Sequence, residues 1–216
     1  CAGTGQSGFN ALGSILCGDV NPSGRTIDTF VYDLTQTPTA NNFGNFNYTN
    51  MDEFKASSFG TDTIPAFVNY VEGIYVGYKF YETAAAEGLI DYDKTVVYPF
   101  GRGLSYTTFT QTLNSVTEAD GTITVDVTVT NTGSASGKEV VEVYYNPPYT
   151  NGGIEKASAN LIGFAKTSEL APGASENVTV TFKAEDMASY DTYGKGCYVL
   201  EKGDYVISIN ADSHTV

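Results

Sequence analysis

The sequence predicts a mixed fold, with helices and short strands first and an antiparallel β-sandwich of about seven strands after them. Three observations carry this. From Thr122 to Thr130, Ile123, Val125, Val127 and Val129 alternate with Thr124, Asp126, Thr128 and Thr130. A period of two over this length marks a strand with one buried and one wet face. Runs of the same kind recur downstream at sandwich spacing. Helical patterning is confined to the first hundred residues.

Taken in order, Ser7–Cys17 reads as a short amphipathic helix. Phe9, Leu12, Ile15 and Leu16 share a face, Ser7 is placed to cap the start and Gly18 to end it. Asn21-Pro-Ser-Gly24 is a turn and Arg25–Leu34 a strand. Thr35–Phe67 has no clear period and reads as a long ordered loop. Tyr70–Gly88 is ambiguous, a β-rich apolar run over Val71–Tyr78 passing into a helix-prone Tyr81–Glu87 closed by Gly88. Val96–Gly103 is a short strand running into a Pro/Gly loop, and the domain boundary is placed near residue 104.

Beyond that boundary, strands are expected over Thr107–Thr117, Thr122–Thr130, Lys138–Tyr145, Asn160–Thr167 and Ser175–Phe182. Cys197–Glu201 and Tyr205–Ala211 are expected to close the sandwich as a hairpin around Lys202-Gly203. In the third of these strands, Val141, Val143 and Tyr145 alternate with Glu142 and Tyr144. Seven strands in this span fit an immunoglobulin or fibronectin III-like sandwich, whose two inner faces bury a real core at this size.

The chain has 216 residues, enough for one large or two modest domains. Its formal charge is −14, which argues against nucleic acid, since phosphate binding needs a basic face. Sixteen Tyr and twelve Phe supply core material and polar-tipped surface alike. Cys1, Cys17 and Cys197 are too few and scattered for a disulfide scaffold, although a Cys1–Cys17 bridge stays open. No Cys/His spacing suggests a metal site, so neither metal nor cofactor is expected. No apolar run approaches 18 residues, and no membrane span is expected. The opening Cys1-Ala-Gly-Thr-Gly is neither an initiator Met nor a signal peptide, and the chain is expected to be a segment of a longer polypeptide.

Several residues invite a chemical reading. Glu72 sits in a Tyr-rich apolar run, where burial could raise a carboxyl pKa, but the expectation is a carboxylate holding backbone or Arg groups. Glu82 and Glu87 read as a solvated helix face, and Asp91, Asp93, Asp186, Asp191 and Asp204 as turn residues. Asp212-Ser-His214 suggests a triad in name only, because adjacency in sequence is not triad geometry, and His214 reads as a surface residue. Gly101-Arg-Gly103 reads as a close backbone approach between domains and not a phosphate loop. Phe43–Tyr48 could line a sugar site or pin its own loop. Asn47-Tyr-Thr and Asn177-Val-Thr match the N-glycosylation acceptor.

Six blocks together resemble a known family: Gly5–Leu12, Gly18-Asp-Val-Asn-Pro-Ser-Gly-Arg25, Tyr70–Tyr81, Tyr98-Pro-Phe-Gly-Arg-Gly-Leu-Ser-Tyr-Thr-Thr-Phe109, Val129–Gly133 with Gly137–Tyr145, and Leu170-Ala-Pro-Gly173. In order and spacing the chain is similar to the C-terminal part of the α/β sandwich domain plus the fibronectin III-like domain of glycoside hydrolase family 3. Arg102 stands where that family often has Tyr. The resemblance implies residues 1–104 as a partial α/β sandwich layer and 105–216 as the fibronectin type III-like domain. It also implies a β-glucosidase-like, retaining chemistry, which needs two carboxyl groups about 5 Å apart. The family's nucleophile lies on a barrel domain, and its acid/base Glu lies upstream of the part present here. No catalytic residue is therefore carried over, and the substrate-binding residues stay unknown. The implied partners are the rest of the enzyme and a glycoside substrate, with a homo-oligomer and the compartment left open. A non-catalytic carbohydrate-binding or structural module is the alternative.

Overall fold

The computed structural model describes residues 5–40, 42, 48–50, 53, 56–58, 61–63 and 67–216. The expected helix is present as α1 (Gly8–Leu16). Ser7 stands at its N-cap without a side-chain hydrogen bond, and Gly18, at φ 80°, ends it. Of the strand expected over Arg25–Leu34, only β1 (Phe30–Val31) forms, with a single antiparallel bridge from Arg25 to Gly103. The long-loop reading of 35–67 lies partly outside the described residues. Within it, Leu34–Gln36 make a 3₁₀ turn whose N-cap Asp33 accepts from the Thr35 amide, and β2 (Ala56–Ser58) pairs with β3 (Thr61–Thr63).

The β-rich run from Val71 forms no strand. Gly73 and Gly77 both adopt positive φ, 59° and 56°, and turn the chain before a ladder can start. Helix α2 (Tyr78–Ala86) begins directly after Gly77, and Gly88 at φ 70° closes it. Asp91 is more than a turn residue, since it caps the four-residue α3 (Tyr92–Thr95) by accepting from the Lys94 amide. The chain passes straight into β4 (Val96–Tyr98), which pairs antiparallel with β1.

The second part is a β-sandwich. One sheet has the order β5-β6-β9, from Phe109–Ala119, Thr122–Asn131 and Ser175–Lys183. The β5–β6 connection is Asp120-Gly121, both at positive φ, the geometry that suits the twist of a two-residue hairpin. Val125, Val127 and Val129 are 0% exposed, while their polar neighbours form a hydrogen-bonded outer ladder through Asn114, Thr128 and Asn177. The other sheet has the order β12-β7-β8, from Val206–Asn210, Val140–Asn146 and Asn160–Lys166. Between them lies one core that includes Ile123, Val141, Val143, Tyr145, Leu170, Val178, Val180, Phe182 and Met187.

The closing strands pair differently from the expected hairpin. β11 (Tyr198–Val199) pairs with β10 (Ser189–Tyr190), and β12 pairs with β7. Two local features explain this. Asp191 gathers its loop by accepting from the amides of Gly194 and Lys195, which turns β11 back onto β10. Gly203 is pressed against Pro148, 2.7 Å from where a Cβ would stand, so Lys202-Gly203 serves a contact with the β7–β8 loop.

A seam that buries the outer face of one strand

Strand β7 breaks the alternation that its sequence suggests. All six residues from Val140 to Tyr145 are buried, and the outward pair Glu142 and Tyr144 are 4% and 2% exposed. The reason is a third layer. Helix α2 and the Pro99–Gly103 loop lie on the outer side of this sheet. Tyr78 of α2 stacks on Phe100 at 4.6 Å and meets Tyr144 edge-on at 6.1 Å. Its hydroxyl accepts from the Leu161 amide, and Thr83 accepts from the Ser158 amide, each at 3.0 Å.

Two of the six blocks, Gly18–Arg25 and Tyr98–Phe109, meet in this seam. The Thr26 amide donates to the Arg102 carbonyl at 2.8 Å, and the Gly101 amide donates to the Thr26 carbonyl at 2.9 Å. The Thr26 hydroxyl donates to the Pro99 carbonyl and accepts from the Arg102 amide. Asn21 joins both sides: its Nδ2 donates to the Ser136 carbonyl, and its Oδ1 accepts from the Ser105 hydroxyl and the Tyr106 amide. The close approach expected at Gly101-Arg-Gly103 is present. A Cβ on Gly101 would stand 2.3 Å from Glu142 Oε2, and one on Gly103 2.8 Å from the Gly24 carbonyl. The side chain of Arg102 turns outward, its guanidinium 5.7 Å from the centre of the Tyr98 ring.

Electrostatically the seam is acidic. Arg25 forms an ion pair with Glu139. Burial pushes the Glu139 carboxyl above its ordinary range, with Arg25 opposing the rise. Glu142 is pushed up to about 7 by burial, against the pull of the Tyr144 hydroxyl that donates to it at 2.8 Å. Burial next to that carboxylate also raises the Tyr144 phenol.

A second polar cluster fastens the chain's end. Glu82, expected on a solvated face, is buried. It accepts from the Tyr92 hydroxyl at 2.7 Å, the Ser213 hydroxyl at 2.8 Å and, at 2.8 Å, pairs with His214 Nδ1. His214 is more than a surface residue, because its ring stacks on Tyr92 at 3.6 Å. Asp212 accepts from the His214 and Thr215 amides, and the Ser213 amide donates to the Phe100 carbonyl. Ser213 and His214 both turn to Glu82, so the triplet has no Ser–His relay. Sequence reasoning missed Glu82 because α2 gains its cover from the tail 131 positions away.

The other singled-out residues do not converge. Glu72 lines a pocket of about 870 Å³ between α2 and the Asn146–Ser158 stretch, where Oε2 accepts from Asn42 at 2.6 Å. Glu87 is exposed, Asp186 accepts from the Lys183 amide, and Asp93 and Asp204 are exposed. Phe43–Asn47, including the Asn of the glycosylation triplet, and Cys1 lie outside the described residues; Tyr48 packs on Phe67 at 5.1 Å. Asn177 is exposed on β9, and Cys17 and Cys197 are exposed. Among the described residues no group of three metal-ligating side chains forms, and no helix is long and apolar enough to cross a membrane.

Residues 139–213 match the family model of the fibronectin type III-like domain. The matched stretch holds β7, Glu139, Glu142 and Asp212. The likeness runs beyond it. Beta-glucosidase A of Butyrivibrio fibrisolvens is 38% identical over 93% of this chain and 23% of its own length. A solved β-glucosidase structure from Paenibacillus barengoltzii is 36% identical, with a TM-score of 0.78 over 96% of this chain and 20% of that one. A GH3 β-glucosidase from Bifidobacterium adolescentis gives a TM-score of 0.76 at 29% identity over 97% of this chain. The resemblance to glycoside hydrolase family 3 is borne out by these matches. The chain spans 20–27% of the length of these relatives.

Proposed function

We propose that this chain is the bracing portion of a β-glucosidase-like glycoside hydrolase that acts with retention on terminal β-linked sugars. Residues 1–104 then form part of an α/β sandwich layer and 105–216 the fibronectin type III-like domain. The catalytic carboxylates lie outside this segment. The rest of the enzyme is its partner, and a glycoside is its substrate.

One observation carries the reading. Among the described residues, the first part packs against the sandwich along the seam and leaves large apolar side chains exposed elsewhere. Phe9 and Leu16 of α1 are 67% and 74% exposed, Ile27 is 83% exposed, and α1 buries no residue at all. Apolar positions at helical spacing call for a covering layer. Retaining chemistry needs two carboxyl groups about 5 Å apart in an open cleft. Here the carboxylates that gather, Glu139, Glu142 and Asp212, do so in a closed seam.

The test is an aryl β-glucoside offered to the 216-residue chain alone, and then to a β-glucosidase whose matching stretch is replaced by this one. Turnover is expected only in the second. Hydrolysis by the chain alone would end the reading. Glucan or xylan binding by the chain alone would favour a carbohydrate-binding module.

A further inference from the structure

Glu142 lies on the outer side of β7 with Gly101 packed directly onto its carboxyl group. Arg25, the cation that acts on it, is already paired with Glu139. Across the ladder, Asn210 of β12 is in register with Glu142, so the two side chains share a face. Asn210 is buried, and its Oδ1 has no hydrogen-bond partner among the described residues. A carboxylate and an amide oxygen are both acceptors, and an unpaired buried acceptor is costly. Protonated, Glu142 supplies on this shared face the hydroxyl donor that two facing acceptors lack.

We propose that the joint between the first part and the sandwich is proton-linked: Glu142 closes it as the neutral acid, and loss of that proton loosens the Pro99–Gly103 loop from β7. The inference rests on the seam itself and stands whatever the parent polypeptide does.

The surroundings agree from every side. Arg25 comes from the stretch before β1, Glu139 and Tyr144 from around β7, Asp212 from the tail and Tyr78 from α2. β8 offers only Phe164 in register. Ionised, Glu142 becomes a third carboxylate beside Glu139 and Asp212, while Arg25 is already paired and Lys166, at the end of β8, acts on Glu139. The shift has the matching sign. The carboxyl rises from 4.5 when solvated to about 7 when buried. Its contribution is therefore fully present below the solvated value and is lost as pH climbs through neutral.

Amide hydrogen exchange of the full chain tests this. The reporters are Gly101, which donates to Thr26, and Ser213, which donates to Phe100. After correction for chemical exchange, their protection should fall about thirtyfold from pH 5 to pH 7, while β6 holds. Glu142→Gln, neutral at every pH, should flatten that dependence. A carboxyl carbon titration of Glu142 in the unaltered chain needs no variant to fold, and its midpoint should lie near neutral. A midpoint in the ordinary carboxylate range, or an equal slope in Glu142→Gln, would overturn the proposal.

Discussion

Replacing Gly101 with Ala should open the seam, for two separable reasons. The residue sits at φ 83°, where an L side chain costs about 1–2 kcal/mol. Its Cβ would also fall 2.3 Å from Glu142 Oε2 and 2.9 Å from the carboxyl carbon. Overpacking of that kind costs about 1–3 kcal/mol. The sum, about 2–5 kcal/mol, lowers the protection of the Ser213 amide by about thirtyfold to several thousandfold. Gly152→Ala is the control. It shares the backbone geometry, φ 80°, but nothing lies within 4 Å of its Cβ, so only the first cost applies. A Glu142→Ala partner change makes room at the seam and should reduce the cost of Gly101→Ala to that of the control. Amide exchange and urea unfolding followed by tyrosine fluorescence both read the effect, since the chain has no Trp. Equal costs at positions 101 and 152, or a Gly101→Ala cost untouched by Glu142→Ala, would refute the packing argument.

Two further changes probe separate parts of the fold. Asn131→Ala removes a fully buried amide that donates to the Ala135 and Leu170 carbonyls and accepts from Thr107 and Gly133. It should cost about 3 kcal/mol or more, read as a lower urea midpoint. Glu82→Ala leaves Tyr92, Ser213 and His214 without their shared acceptor and should free the tail. Exchange at His214 and Thr215 should rise while β6 stays protected, and an unchanged tail would count against the clamp.

Much of the sandwich is legible from short-range pattern. The alternation of Ile123 to Val129 means one face in and one face out, and β6 lies as expected because its polar face meets water. Turn chemistry is equally local, as at Ala171-Pro-Gly173, where Gly173 takes φ 78°. The same reasoning misplaces β12, since which neighbour a strand pairs with is a long-range choice. It also reads Val71–Tyr78 as β-rich from side chains alone, whereas two positive-φ glycines set the backbone.

Within the sandwich, the residues by themselves determined the long strands, the turn at Ala171-Pro-Gly173 and the core face of β6, because period and φ preference act over a few positions. Only the tertiary structure decided that Glu142 and Tyr144 have no water to face, and that Glu82 has three partners. Both outcomes depend on elements far apart in the chain packing a third layer onto the sheet. Burial of that kind raises the Glu142 carboxyl above its ordinary range, and no local pattern encodes it.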